Sequence, residues 1–349
     1  MTDFEKVIDF ENMYRAFRKS KRGKGHKTSA LKFDTRALEG VNLLIEQIKN
    51  RMYTVSPYTE FKVYEPKERD VKTCSFKDKV VQHCLCDNVI LPRLETILVE
   101  ENSAGRKGKG TLYALDLLSK QMALFYKKYG FDGYILKCDV KKYFYNIDHE
   151  ALKKIVEYHF GYDEGICWLC NRFIDSTEGK GLALGNQINQ GFAILYLDGM
   201  DKLIKYELGI EYFGRYMDDF YLIHPSKEYL KYCLFVIKGY LETLDLQLNT
   251  KTQIFPFKNG VSFLGFHSYV VNGGKVVRRL KNQNKRNAQK KYVRMAKLVA
   301  KGKISPEKFE DSYRSWKNHI SHGNCYKLGV AMDEKIKETI QENKDEQIL

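Results

Sequence analysis

At 349 residues the chain can form one multi-part enzyme or two to three small subdomains, but not a train of accessory domains. Lys plus Arg number 59 against 44 Asp plus Glu, and the resulting net charge of +15 points to a polyanionic partner. No apolar run approaches the roughly 20 residues of a spanning helix, and Met1-Thr2-Asp3-Phe4-Glu5 lacks the character of a signal peptide, so no membrane role and a cytoplasmic location are expected.

Residues 4–18 carry apolar side chains at helical spacing and lead into Lys19-Ser20-Lys21-Arg22-Gly23-Lys24-Gly25-His26-Lys27, a basic loop that suits either phosphate contact or a solvated surface. A second helix is expected over 35–51, a strand over 58–64 ended by Pro66, and helical pattern over 78–98. A Gly- and Lys-rich loop at 102–110 precedes another helix. The middle of the chain alternates a strand at 134–139, helices near 149–159 and 189–207, and a strand pair around Met217-Asp218, as in an α+β unit. The eight cysteines read as reduced, buried thiols, because the CxxC of Cys167 and Cys170 lies in an apolar helical run and lacks the second pair a zinc site needs.

The last third is strongly basic. No acid occurs between Asp245 and Glu307, while Lys275, Arg278, Arg279, Lys281, Lys285, Arg286, Lys290, Lys291, Arg294, Lys297, Lys301 and Lys303 supply twelve cations. On a helix beginning near Lys281 they would neutralise a row of phosphates, with strong salt dependence; a solvated face normally mixes signs.

The sharpest local feature is Tyr212-Phe213-Gly214-Arg215-Tyr216-Met217-Asp218-Asp219-Phe220-Tyr221-Leu222-Ile223. Two apolar strands flank adjacent aspartates, which repel one another at a hairpin turn unless cations lie between them. Phosphoryl transfer explains such an arrangement: two Mg²⁺ ions about 3.5–4 Å apart activate a 3′-hydroxyl and stabilise the leaving pyrophosphate. Asp139, at the end of the apolar strand Ile135-Leu136-Lys137-Cys138-Asp139, is the candidate third acid.

These residues carry a resemblance to reverse transcriptases. Tyr216-Met217-Asp218-Asp219 looks like that family's catalytic motif, and Asp139-Val140 with Phe144 like its preceding metal-binding motif. The resemblance implies metal ligation by Asp139, Val140, Asp218 and Asp219, with two Mg²⁺ ions or Mn²⁺ in their place. It also implies an aromatic gate at Phe144 that excludes the 2′-hydroxyl. Lys67 and Arg69 match the cations that hold the incoming deoxynucleoside triphosphate, and Phe76-Lys77-Asp78-Lys79-Val80-Val81-Gln82-His83 is similar to the adjoining fingers motif. Leu184, Gly185 and Gln190 fall in the loop and helix under template and nucleotide, Lys251 matches the lysine near the pyrophosphate, and Phe263-Leu264-Gly265 looks like the primer grip. Arg278, Arg279, Lys281, Lys285, Arg286, Lys290 and Lys291 would then be nucleic-acid contacts. Six motifs in order are specific where each alone is weak.

Within the family the chain resembles the bacterial enzymes of diversity-generating retroelements and the related phage-defence enzymes, on Tyr64-Glu65-Pro66-Lys67, Val81-Gln82-His83 and the Gly185-Asn186 loop. Ala183 and Asn189 depart from the proline and serine common there, and Leu184 replaces a glutamine frequent in high-fidelity relatives, which predicts relaxed base selection. The implied fold is α+β: a right-hand polymerase with fingers over 1–130, a ferredoxin-like palm over 131–270 holding a fingers insertion near 160–185, and a helical basic thumb over 271–349. About 70 residues follow the start of the basic helix, room for a thumb but not for a ribonuclease H domain beside it. Implied partners are a structured non-coding template RNA, the DNA product, dNTPs, and an accessory protein or a second copy of the chain. The rival reading is a catalytically silent RNA-binding protein that kept the fold.

Overall fold

Asp9 decides how the chain begins. In a computed structural model, which describes residues 1–64 and 68–345, the expected first helix is two, Asp3–Ile8 and Phe10–Lys21. Asp9 is extended between them, and its carboxylate accepts from the Asn12 N–H at 2.9 Å, so one short acid both ends a helix and caps the next. The helix expected over 35–51 is likewise preceded by a separate one, Thr28–Asp34, and runs Ala37–Lys49 with Val41, Leu44, Ile45 and Ile48 buried. The helical stretch near 78–98 is Phe76–Leu85, a π-turn Cys86–Ile90, and Leu91–Ile97. Pro92 has no N–H to continue the ladder, and the backbone loosens just before it.

The described chain divides into two units. The first is Met1–Gly110, Cys138–Phe220 and Lys231–Thr252; the second is Thr111–Lys137, Tyr221–Leu230 and Gln253–Leu349. Strands β1 (Thr59–Val63) and β2 (Arg69–Thr73) form an antiparallel ribbon with Phe61 opposite Val71. Strands β3 (Tyr134–Asp139), β4 (Tyr212–Tyr216), β5 (Asp219–His224) and β6 (Gln253–Pro256) form a sheet in the order β4-β5-β3-β6. Phe220 to Ile223 are all buried, the continuous apolar run of a strand covered on both faces. Strands β7 (Val261–Phe263), β8 (Phe266–Val270) and β9 (Val276–Leu280) make an antiparallel sheet within the second unit.

That unit ends in three helices, Asn282–Ala300, Pro306–Ile320 and Tyr326–Asp345. Ala288, Tyr292 and Ala296 face a core with Phe309, Met332 and Ile336, against which Trp316 packs. All eight cysteines are buried and unbridged, and burial pushes the Cys84 thiol up to about 12, which makes it inert. Among the described residues no helix is long and apolar enough to cross a membrane.

Candidate active site

The two aspartates sit where β4 turns into β5. Only Met217 and Asp218 lie between the strands, and Met217 has φ 57°, the left-handed conformation that a tight two-residue hairpin demands and a methionine adopts at a cost of about 1–3 kcal/mol. The neighbouring contacts oppose that cost. The guanidinium of Arg215 donates through Nη1 to the Met217 carbonyl at 2.9 Å and through Nη2 to the Ile194 carbonyl at 3.1 Å. Its Nε and Nη2 form a two-pronged pair with Asp201, both at 2.7 Å, and both side chains are fully buried. Asn102 donates to the same carboxylate at 3.1 Å, and the Arg215 backbone is clamped by Glu101 and Ser103 at 3.0 Å each. Burial raises the Asp201 carboxyl above its usual range, and the adjacent Arg215 opposes that shift.

Asp139 ends β3 beside this turn. The Val140 N–H donates to the Asp218 carbonyl at 3.1 Å, so the two acid-bearing segments are in backbone contact. On the other side, the Asp139 carbonyl accepts from the Asn249 N–H at 2.7 Å, and Val140 bridges Leu248. Asp139, Asp218 and Asp219 are all half-buried.

Phe144 lies on the short helix Tyr143–Asn146, entered through Lys142 at φ 47°. Tyr143 is buried and its hydroxyl donates to the Ala193 carbonyl, which fixes the turn that leaves Phe144 half-buried. The 181–190 loop is laced to this turn: Leu182 N–H reaches the Phe144 carbonyl and Gly181 N–H the Ile147 carbonyl, each at 2.8 Å. Gly181 has φ +88°, and a Cβ there would stand 2.8 Å from the Tyr145 carbonyl oxygen, so only glycine fits. Farther along, the Leu184 carbonyl accepts from Lys72 N–H at 3.1 Å, which sets Leu184 and Gly185 against β2. Phe144, Leu184, Gly185 and the strand of Arg69 are therefore linked by backbone hydrogen bonds. Lys67 lies outside the described residues, as does the side chain of Arg69. Gln190 is exposed on the helix Gln187–Tyr196, and Lys251 is exposed after a turn in which its N–H meets Asn249 Oδ1 at 3.1 Å.

In the second unit, Phe263 ends β7 and Leu264-Gly265 forms a two-residue hairpin, with φ 46° and 87°. Phe263 is anchored against Tyr221 at 5.2 Å, and Lys137 Nζ lies 5.4 Å from its ring centre. Leu264 lines a cavity of about 560 Å³ together with Thr111, Ser315, Asn318, His319 and His322. Arg279, Lys285, Arg286, Lys290 and Lys291 are exposed and Lys281 half-buried. Arg278 is a correction to the expected row of phosphate contacts. It is 8% exposed, and its guanidinium donates to the Leu115 carbonyl, Asp116, Ser119 and the His322 carbonyl at 2.6–2.8 Å. Held by these four acceptors and almost wholly buried, the guanidinium fastens helix Thr111–Tyr129 to β9 and is turned away from solvent, with its Nε lacking a hydrogen-bond partner among the described residues.

Among the described residues, no three His, Cys, Asp or Glu side chains are gathered into a metal cluster. The donor set nonetheless fits a hard divalent cation: carboxylates on Asp139, Asp218 and Asp219 with a neighbouring main-chain carbonyl at Val140 are oxygen ligands of the kind Mg²⁺ takes.

Sequence reasoning missed the Arg215, Asp201 and Asn102 network. Its signal was present: an arginine inside an otherwise apolar strand must find a buried partner. Asn186, named only as part of the resemblance, has a burial that the sequence does not signal. It is 2% exposed, and neither amide atom has a hydrogen-bond partner among the described residues.

The family model for reverse transcriptase (RNA-dependent DNA polymerase) matches residues 65–268. No curated protein matches the chain. Among solved structures it is similar to a telomerase from Candida albicans in complex with a TWJ fragment of telomeric RNA. The TM-score is 0.51 with 12% identity, over 85% of this chain and 62% of that one. An apo telomerase from Candida tropicalis, truncated of its C-terminal domain, gives a TM-score of 0.49 with 15% identity, over 68% of this chain and 59% of that one. The chain thus spans less than two thirds of either structure's length. The α+β right-hand polymerase fold expected from the sequence is the fold observed.

Proposed function

We propose, on the premise that this chain belongs to the reverse transcriptase (RNA-dependent DNA polymerase) family, that it synthesises DNA on an RNA template by metal-assisted nucleotidyl transfer. The observation that carries this reading is the 3.1 Å hydrogen bond from Val140 N–H to the Asp218 carbonyl, which sets two carboxylate-bearing segments from distant parts of the chain side by side. Asp139, Asp218, Asp219 and the Val140 carbonyl would hold two Mg²⁺ ions, or Mn²⁺ in their stead, and the ions would supply Lewis-acid stabilisation of the phosphoryl oxygens. The chain's own residues do the rest. Lys67 and Arg69 clamp the triphosphate, Phe144 sits under the sugar and rejects ribose, and Leu184, Gly185 and Gln190 shape the template and nucleotide pocket. Lys251 assists the leaving pyrophosphate, Phe263-Leu264-Gly265 positions the primer, and Arg279, Lys281, Lys285, Arg286, Lys290 and Lys291 track the hybrid's backbone.

On this reading fingers occupy 1–130, palm 131–270 with its insertion near 160–185, and thumb 271–349. The setting is bacterial and cytoplasmic, a diversity-generating retroelement or a phage-defence system with a dedicated structured RNA. Purified protein with RNA template, DNA primer, dNTPs and Mg²⁺ should extend the primer, and chelation or Asp218→Ala should abolish extension. Wild-type protein inert on every template, its copurifying RNA included, would leave the silent RNA-binding reading in its place.

A further inference from the structure

Between Glu11 and Asp34 the chain has eight cations, Arg15, Arg18, Lys19, Lys21, Arg22, Lys24, Lys27 and Lys32, and no acid. Helix Phe10–Lys21 turns its apolar side, Met13, Ala16 and Phe17, into the core and leaves Arg15, Arg18, Lys19 and Arg22 exposed on the opposite side, at helical spacing. Arg18, Lys19 and Arg22 line a cleft of about 590 Å³ whose far wall is Asp87 and Asn88 on the π-turn Cys86–Ile90.

Some of this charge is neutralised within the fold. Lys19 pairs with Asp87 at 2.7 Å and Lys21 with Asp34 at 2.6 Å, and Arg15 lies 3.6 Å from Glu11. Arg18, Arg22, Lys24, Lys27 and Lys79 have no carboxylate partner among the described residues. Helix Phe76–Leu85, which carries Lys79, packs against helices Phe10–Lys21 and Thr28–Asp34 on either side of the loop that bears Lys24 and Lys27. Lys79, half-buried on helix Phe76–Leu85, is lowered below the ordinary lysine value by burial and by the charges of Lys24 and Lys27. Like charges gathered from two elements raise the energy of the protein alone, and an anion laid across them relieves it.

We infer that Arg18, Arg22, Lys24, Lys27 and Lys79, with the adjoining cleft, form a docking surface for the sugar-phosphate backbone of a structured RNA. This surface lies outside the residues assigned to catalysis, and the inference does not depend on that assignment. A bilayer is disfavoured because the helix has no apolar face left to insert: its apolar side is already core. DNA is disfavoured by the amides lining the cleft. Asn12 Nδ2 donates to the Lys6 carbonyl and Asn88 Nδ2 to the Cys84 carbonyl, which leaves amide oxygens as acceptors. A 2′-hydroxyl can donate to them and a deoxyribose cannot.

The test measures fluorescence anisotropy of a labelled RNA hairpin of about 20 base pairs, its DNA counterpart, and phosphatidylserine vesicles, each against a salt series. The variant carries Arg18→Gln, Arg22→Gln and Lys24→Gln, all at exposed positions. RNA binding should weaken at least about tenfold near 0.1 M salt, and the slope of log affinity against log salt should fall by about 3. The charge-keeping variant Arg18→Lys, Arg22→Lys, with Lys24 intact, should keep wild-type affinity and slope, and primer extension by the glutamine variant on a short homopolymer template should keep its wild-type rate. Unchanged RNA affinity, wild-type binding to DNA or vesicles as tight as to RNA, or a parallel loss of extension would overturn the inference. Wild-type protein that binds the hairpin as described but extends no primer would refute the catalytic reading and leave this surface standing.

Discussion

Replacing Arg215 by methionine removes a guanidinium that joins three groups, the Asp201 carboxylate and the Met217 and Ile194 carbonyls, and leaves the fully buried Asp201 with Asn102 as its remaining side-chain donor among the described residues. Breaking a buried pair from one side costs about 3–5 kcal/mol, a large share of the roughly 5–15 kcal/mol that holds a domain folded. A charge-assisted hydrogen bond such as that to the Met217 carbonyl contributes about 1.5–3 kcal/mol, similar to the strain of the left-handed methionine it opposes. Without it the turn carrying Asp218 should leave its productive geometry, and a penalty of that size corresponds to extension about 10- to 100-fold slower. The double variant Arg215→Met, Asp201→Leu separates the two effects, since an apolar pair of similar volume is neutral or stabilising where a lone charge is not. Its urea midpoint should return to or exceed the wild-type value while single-turnover extension stays slow. Wild-type extension by the double variant would refute the argument, because the anchor on Met217 would then have no part in activity.

Phe144→Ala should admit ribonucleotides, seen as a fall in dNTP over NTP preference in single-nucleotide incorporation, and an unaltered preference would remove the steric-gate assignment. Leu184→Gln should lower misincorporation relative to wild type, because an amide can hydrogen-bond the substrate where leucine cannot; equal error rates in sequenced products would count against it. His159 is buried, and burial, with the charges of Lys202 and Arg93, pushes its imidazole down to about 4. The unfolded chain therefore binds one more proton between about pH 6.5 and 4, so this contribution is intact above pH 6.5 and lost as pH falls, by up to about 3 kcal/mol. Urea midpoints across that range should fall less steeply for His159→Gln, and parallel curves would show that His159 is not the responsible group.

Much of the site was legible because its parts are local. The apolar strand ending at Asp139 and the Met217-Asp218 turn each follow from short-range chemistry: an apolar run that ends in an acid, and adjacent acids between two apolar strands. The helices were less legible at their ends, where a single polar side chain decides. Asp9 split the first helix by capping the second, and Pro92 turned one long helical stretch into three pieces.

Charge runs were the poorest guide, since composition records how many cations there are and not what each one meets. Arg278 and Arg279 are neighbours in one basic stretch, yet the first is buried and held by Leu115, Asp116, Ser119 and His322 while the second is exposed. Strand alternation sends adjacent side chains to opposite faces, and only the packed fold says which face is covered. By itself the sequence determined the chemical groups, the family resemblance and the sign of the chain's own net charge. Tertiary structure decided which of those groups lie side by side, which cations remain available, and that a buried arginine braces the turn, because burial and pairing depend on contacts between residues far apart in the chain.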